Sequence, residues 1–270
     1  MVALNAIAYG GGVQSTALVV LATQGDVAVS HALFANVGDD SENPETLTYV
    51  RDIVTPWAAA RGVTVHELHR VTRVGARETL LERLTRAQRS IDIPLRMSPD
   101  GAPGNRNCTN TFKLKVLAKW LKSHGATALD PATLYIGISW DEIERLNNRV
   151  GEPYERVEYP LIDRRLTRHD CKNLIARAGL PVPPKSSCYF CPYKRTAEWQ
   201  ALRKNAPALF EKAADIETML NTRRETLGKD AIYLTRFLVP LREAIPEQTQ
   251  MDFDFSGVGG ETCDDGVCWV

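Results

Sequence analysis

The stretch Leu4-Asn5-Ala6-Ile7-Ala8-Tyr9-Gly10-Gly11-Gly12-Val13-Gln14-Ser15-Thr16-Ala17-Leu18-Val19-Val20-Leu21 decides the fold. It opens as a short apolar run of strand length, which three glycines end. Residues 15–23 then read as a buried helix closed by Gly25. Glycines between a strand and a helix let the backbone take positive φ and approach a ligand closely, while the free amides of the first helical turn point at that ligand. The pattern predicts a phosphate cradle. It lacks the Lys of a Walker loop and the third-glycine spacing of a dinucleotide fingerprint, so on spacing alone a plain strand-to-helix turn stays open.

Outward from this stretch, 31–37 and 63–68 read as further strands, 44–61 has helical spacing ended by Gly62, and 75–89 reads as a charged amphipathic helix. The first ninety residues are thus βαβαβα. Residues 98–107 are rich in Gly, Pro and Asn and form a loop, followed by a helix at 111–124, a strand at 133–138 and a helix at 167–178. A Pro-rich connection, 181–184, leads into Cys188-Tyr189-Phe190-Cys191, and 196–227 is helical. The alternation predicts an α/β fold, a mostly parallel twisted sheet with helices on both faces and any ligand at the C-terminal strand edge. Three regions are expected: a nucleotide-binding domain at 1–180, a Cys-x-x-Cys loop with a helical C-terminal region at 181–242, and an acidic, Cys-containing tail at 243–270.

Composition bounds the function. The chain has 270 residues, 33 basic and 33 acidic side chains and a 44% hydrophobic fraction, an ordinary globular composition that excludes fibrous and small stapled folds. No apolar run nears the roughly 20 residues of a membrane span. No basic n-region or cleavage site opens the chain, so a cytoplasmic protein without membrane contact is expected. The zero net charge is unevenly spread, because no Lys or Arg follows Arg242 while Glu243, Glu247, Asp252, Asp254, Glu261, Asp264 and Asp265 do. The tail carries −7 and the body +7. That asymmetry suggests an anionic substrate and a tail that lies over the same basic surface; a solvated tail is the other reading.

Six cysteines without an export signal turn attention to metal or redox chemistry. Cys188 and Cys191 form a Cys-x-x-Cys, Cys108 sits just before a helix, and Cys171 shares a helix with Leu174 and Ile175 and reads as core. Cys263 and Cys268 close the chain; their neighbours Asp264 and Asp265 raise thiol pKa values, so they would react only after the tail docks on the body. Arg106, Lys113, Lys115, Lys185, Lys194 and Arg195, interleaved with Tyr189, Phe190 and Tyr193, predict a rim for nucleotide or nucleic acid, with a solvated rim as the alternative.

Several motifs carry a family resemblance. Gly10-Gly11-Gly12-Val13-Gln14-Ser15 resembles the Ser-Gly-Gly-x-Asp-Ser loop of the PP-loop, or adenine nucleotide α-hydrolase-like, superfamily. Asn36-Val37-Gly38 with Pro44-Glu45-Thr46 resembles the Asp-Thr-Gly and Pro-Glu-Thr elements of its phosphoadenosine phosphosulfate reductase-like branch. Gly137-Ile138-Ser139 with Glu142 and Arg145 is similar to that branch's Gly-x-Arg segment, and Tyr159-Pro160-Leu161-Ile162-Asp163 to its Pro-Leu/Ile-x-Asp stretch. The departures are Gly10 for Ser, Gln14 for Asp and Ser139 for Arg.

The resemblance implies ATP across Gly10, Gly11, Gly12, Gln14 and Ser15, with adenine near 34–37 and Asn36, Gly137 and Arg145 in the nucleotide site. It implies Mg²⁺ on the pyrophosphate, with Asp39 as its ligand. It also implies a [4Fe–4S] cluster on Cys108, Cys188 and Cys191 with one iron open, Thr109 standing where a fourth cysteine would; Zn²⁺ and plain buried thiols are the alternatives. The implied activity is an adenylating, pyrophosphate-releasing sulfur insertion into a nucleic-acid base or backbone, in tRNA or DNA, from a separate sulfur donor; an oligomer is compatible with it. The alternatives are a sulfonucleotide reductase with Cys263 or Cys268 as catalytic nucleophile, and a nucleotide-binding module with a structural zinc site in a larger modification or defence complex.

Overall fold

The computed structural model describes residues 4–86, 90–148 and 152–247. The chain begins β1 (Asn5–Tyr9), α1 (Val13–Thr23), β2 (His31–Asn36), α2 (Pro44–Thr48), a π-helical segment Tyr49–Val54, α3 (Thr55–Ala59) and β3 (Thr64–His69). There follow α4 (Leu80–Thr85), β4 (Arg96–Met97), a second π-helical segment Thr109–Leu114, α5 (Lys115–Ser123) and β5 (Ala132–Ile136). A 3-10 segment Trp140–Asn148 leads to β6 (Glu155–Glu158), α6 (Pro160–Asp163) and α7 (Arg168–Arg177). The described chain closes with α8 (Thr196–Asn205), α9 (Pro207–Thr226), β7 (Ile232–Tyr233) and α10 (Leu241–Ala244).

These elements form two units. The first comprises the chain up to Thr79 together with Thr109–Ser186. It is built on a five-stranded sheet of order β3-β2-β1-β5-β6 in which every pairing is parallel. The expected α/β architecture is therefore present. Alternation along β1 explains the two layers: Ile7 and Tyr9 join Phe34, α1, Val54 and Ile175 on one face, while the smaller Ala6 and Ala8 join Leu33, Leu134, Leu117 and Trp120 on the other. α1 is buried from Val13 to Leu21, and from Ala17 to Leu21 every residue is apolar. At the start of α7, Thr167 Oγ1 accepts from the Asp170 amide at 3.2 Å and Asp170 Oδ2 accepts from the Thr167 amide at 2.9 Å, a capping box.

Of the described residues, the second unit takes Leu80–Cys108 and the chain from Ser187 to Glu247. Its tie is the buried Glu217 of α9, whose carboxylate accepts from the Leu234 amide at 2.6 Å and the Leu241 amide at 2.7 Å. Arg223 donates to the Leu84 carbonyl at 2.7 Å and the Arg86 carbonyl at 2.9 Å, and β4 pairs antiparallel with β7. These bonds join 80–108 to the C-terminal region, whereas the sequence suggested boundaries near 180 and 242. The region 248–270 lies outside the described residues.

Local differences have local causes. The helical run expected at 196–227 divides at Pro207, which has no amide proton to continue the ladder. The helix expected at 75–89 starts only at Leu80, because Val71 and Arg77 pair as an antiparallel bridge across the preceding turn; 87–89 lie outside the described residues. β6, with the sequence Glu-Arg-Val-Glu, gives no apolar signal and is ordered by its pairing with β5. Among the described residues no helix is long and apolar enough to cross a membrane.

At the opposite end of the sheet from its C-terminal edge, His31 Nδ1 lies 3.1 Å from His66 Nε2 beside Trp120, whose ring stacks on His124 at 3.9 Å. Burial, and then the neighbouring histidines, hold the pKa values of His31 and His66 below 6.5. The unfolded chain therefore takes up these protons at higher pH than the folded one. Their contribution to stability is full above pH 6.5 and is lost as pH falls through the lower folded values. Urea unfolding should show stability declining from pH of about 7 to about 5, and His66→Phe should flatten that decline. An equally steep decline in the variant would remove the histidine pair as its cause.

Candidate active site

In a parallel sheet the ligand crevice lies where neighbouring strands send their connections to opposite faces. Here that place is between β1 and β5. The loop after β1, Gly10 to Gly12, and the segment after β5, Gly137 to Ser139, meet there. A Cβ on Gly137 would lie 2.8 Å from the Ser15 amide nitrogen and 2.9 Å from the Gln14 carbonyl carbon, so backbone packs on backbone and only glycine fits. Gly11 has φ of 70°, and a Cβ there would meet Val50 Cγ2 at 2.9 Å and Thr46 Cγ2 at 3.0 Å.

Gly12 is the N-cap of α1 with an extended backbone, no side-chain cap, and no acidic residue in the first turn. Ser15, which could have capped it, instead accepts from the Gly10 amide at 3.1 Å and donates to the Gly12 carbonyl at 3.2 Å, bracing the loop from within. The first amides of this largely buried helix are left for a ligand, and the helix dipole selects an anion. Gln14 is 8% exposed; its Nε2 donates to Ser139 Oγ at 3.4 Å and its Oε1 accepts from Arg168 Nη1 at 2.9 Å. Arg168 was not singled out from the sequence. Its signal, a cation in the first turn of a helix more than 150 positions from the loop, has no local pattern.

The remaining nucleotide-site residues take other positions. Asn36, 1% exposed, donates through Nδ2 to Asp39 Oδ1 and Glu67 Oε1, both at 2.7 Å, and accepts from the Gly38 amide at 2.8 Å. Asp39, expected at Mg²⁺, has Arg51 on both carboxylate oxygens, at 2.7 and 3.0 Å, and Arg51 also holds Glu67. Hydrogen bonds from Arg51 hold both carboxyls below their usual range, and the two carboxylates raise the pKa of Arg51. Arg145 pairs with Glu142 in the 3-10 segment, and its Nε is buried without a hydrogen-bond partner.

Cys108, Cys188 and Cys191 all belong to the second unit. The Cys191 amide donates to the Cys188 carbonyl at 3.1 Å, closing the Cys-x-x-Cys as a turn, and the Cys108 amide donates to the Asp92 carbonyl at 2.7 Å. Near them, burial raises the pKa of Tyr193, Arg106 and Arg96 lower it, and Cys191 and Cys108 raise it. The Arg106 guanidinium lies over the Tyr193 ring at 5.1 Å. Among the described residues no group of three or more His, Cys, Asp or Glu side chains is arranged to hold a metal ion.

Tyr189 and Phe190, expected on a base-stacking rim, are 3% and 0% exposed and pack edge to face at 4.8 Å, because the turn needs an apolar anchor. Lys113 is also buried. Cys171 lies in the core, as read from its helix, and burial pushes its thiol up to about 12. Cys263 and Cys268 lie outside the described residues.

No protein-family model and no curated protein matches the chain. Among solved structures it is similar to the U34-tRNA thiolase NcsA from Methanococcus maripaludis with its [4Fe–4S] cluster, at 14% identity over 81% of this chain and 72% of that one, with a TM-score of 0.42. A likeness of that size carries no argument about activity.

Gly12→Ala places its Cβ 2.9 Å from Ser186 Oγ, a side chain able to rotate, and its φ of −97° suits alanine. This variant should fold with wild-type thermal stability and bind ATP at least about tenfold more weakly, since a methyl group obstructs the anion's approach. Calorimetry checks it; unchanged affinity would remove the cradle assignment.

Proposed function

We propose that the chain is an adenylating sulfur-insertion enzyme that uses ATP and acts on a nucleic-acid base or backbone. The observation that carries the reading is the uncapped, buried N-terminus of α1 at the β1/β5 crevice, flanked by three glycines and closed by Gly137. Adenylation and sulfur insertion come from the PP-loop resemblance of the same residues. The net +7 of residues 1–242 supports a polyanionic acceptor.

In this reading the amides of α1's first turn bind the ATP phosphates and stabilise the charge that develops on the leaving pyrophosphate. On a base, the acceptor's carbonyl oxygen forms a bond to the α-phosphorus as the bond from that phosphorus to the bridging oxygen of pyrophosphate breaks. Sulfide then adds to the activated carbon, and AMP departs with the original oxygen. Ser15 keeps the loop open to phosphate by consuming its own hydrogen bonds internally.

Cys108, Cys188 and Cys191 would hold an iron–sulfur cluster. Their donor set fits: three thiol sulfurs, two of them in one tight turn. Three protein thiolates on a [4Fe–4S] cluster leave one iron able to bind sulfide. Binding such a group includes drawing the three sulfurs together, since they do not form a metal-holding group as they stand.

Two measurements test this. After anaerobic reconstitution, Cys108→Ser, Cys188→Ser or Cys191→Ser should each lose most of the bound iron and acid-labile sulfide, and Cys171→Ser should keep both; a full cluster in Cys108→Ser would take that residue out of the ligand set. Anaerobic incubation with ATP, sulfide and bulk tRNA or DNA should release pyrophosphate and yield thiolated nucleosides by mass spectrometry. Turnover of a sulfonucleotide without pyrophosphate would replace the reading with a reductase.

A further inference from the structure

We propose that Arg168 is a phosphate-binding residue of the nucleotide site, that Gln14 positions it, and that the pair supplies the fixed positive charge which a metal-holding carboxylate in the loop would otherwise recruit. The inference rests on the nucleotide-binding reading above and deepens it.

The geometry begins with Gln14, the second residue of α1, whose side chain is almost wholly buried. Ser139, 0% exposed, takes its amide nitrogen, and that bond turns the carbonyl oxygen toward Arg168. The other end of Arg168 is also fixed: its backbone amide donates to Asp141 Oδ1 at 3.0 Å, and Thr167, just before it, is locked by the capping box. Among the described residues no other hydrogen bond or ion pair engages this guanidinium. A planar fork with one N–H group anchored and the others uncommitted, beside the uncapped helix end, matches phosphate oxygens.

The charge balance of the site points the same way. Mg²⁺ is a hard cation that favours carboxylate oxygens and keeps most of its waters. The loop position that would supply a carboxylate holds a neutral Gln whose oxygen is already taken by a cation. Asp39, the nearest acidic residue after β2, is occupied on both oxygens by Arg51. Neither Gln14 nor Asp39 fits a protein-held Mg²⁺, and the Arg168 guanidinium is a cation the fold provides at the loop. The ligand is the β- and γ-phosphates of a nucleoside triphosphate, the part that leaves as pyrophosphate. A latch between α7 and α1 is the competing role for the pair; it would act on stability and be indifferent to phosphate number.

Titration calorimetry of the full chain with ATP, ADP, AMP and adenosine, with Mg²⁺ and with EDTA, separates these roles. Arg168→Ala should lose about tenfold or more in affinity for ATP, less for ADP, and remain close to wild type for adenosine. Arg168→Lys, which keeps the charge without the fork, should recover part of the loss while holding the melting temperature. Gln14→Leu should weaken ATP binding less than Arg168→Ala does, with the same dependence on phosphate number. Gln14→Glu, which neutralises the guanidinium, should make ATP binding depend on Mg²⁺ where the wild type binds in EDTA. Wild-type affinity for ATP in Arg168→Ala, or an equal loss for adenosine, overturns the proposal and leaves a latch. Wild-type protein that binds none of these nucleotides overturns the nucleotide reading itself, and this inference with it.

Discussion

The candidate site depends on a backbone-on-backbone contact between the segment after β5 and the first turn of α1. At Gly137 the backbone passes so near Ser15 and Gln14 that no side chain fits, and this approach sets the width of the crevice at the C-terminal strand edge. The position of Ser139 follows from it, and with it the orientation of the Gln14 amide and the guanidinium that the amide holds. A methyl group at 137 would push the β5 connection away from α1 and release all of these at once. The parallel sheet makes the contact available, because β1 and β5 are neighbours whose connections leave on opposite faces.

Burial and uncapping in α1 are two sides of one arrangement. The helix is buried from Val13 to Leu21 because both the sheet and α7 cover it, which supplies its stability without help from a cap. Freed from capping, Ser15 braces the glycine loop and leaves the helix amides unclaimed. Nearby, the polar network of Asn36, Asp39, Arg51 and Glu67 is satisfied internally. The two clusters divide the strand edge into one part closed on itself and one part open to an anion.

The second unit solves a different problem, holding loop-borne thiols on a small scaffold. Cys188 and Cys191 sit in a turn anchored by the buried rings of Tyr189 and Phe190, while Cys108 is tied by its amide to Asp92, whose carboxylate takes Arg83 at 2.7 Å. Glu217 holds the segments after β7 through two backbone amides, and burial raises its pKa although those amides lower it. Its carboxylate thus orders chain that has no regular hydrogen-bonding partner of its own.

Length, composition and periodicity by themselves determined the α/β class, the strand–glycine–helix connection and the core position of Cys171, because each is a local pattern that any compact packing must respect. The Cys-x-x-Cys turn was equally legible, being four consecutive residues. What only tertiary structure decided are relations between distant segments. Residues 80–108 join the C-terminal unit because Arg223 and β7 offer partners that no spacing rule encodes. Glu-Arg-Val-Glu becomes a strand because β5 presents an open edge. Tyr189 and Phe190 turn inward because a tight turn needs an apolar anchor more than a rim needs rings. Gln14, Ser139 and Arg168 converge because side-chain hydrogen bonding depends on distance in space, and the 154 positions between Gln14 and Arg168 leave no trace of that distance in the sequence.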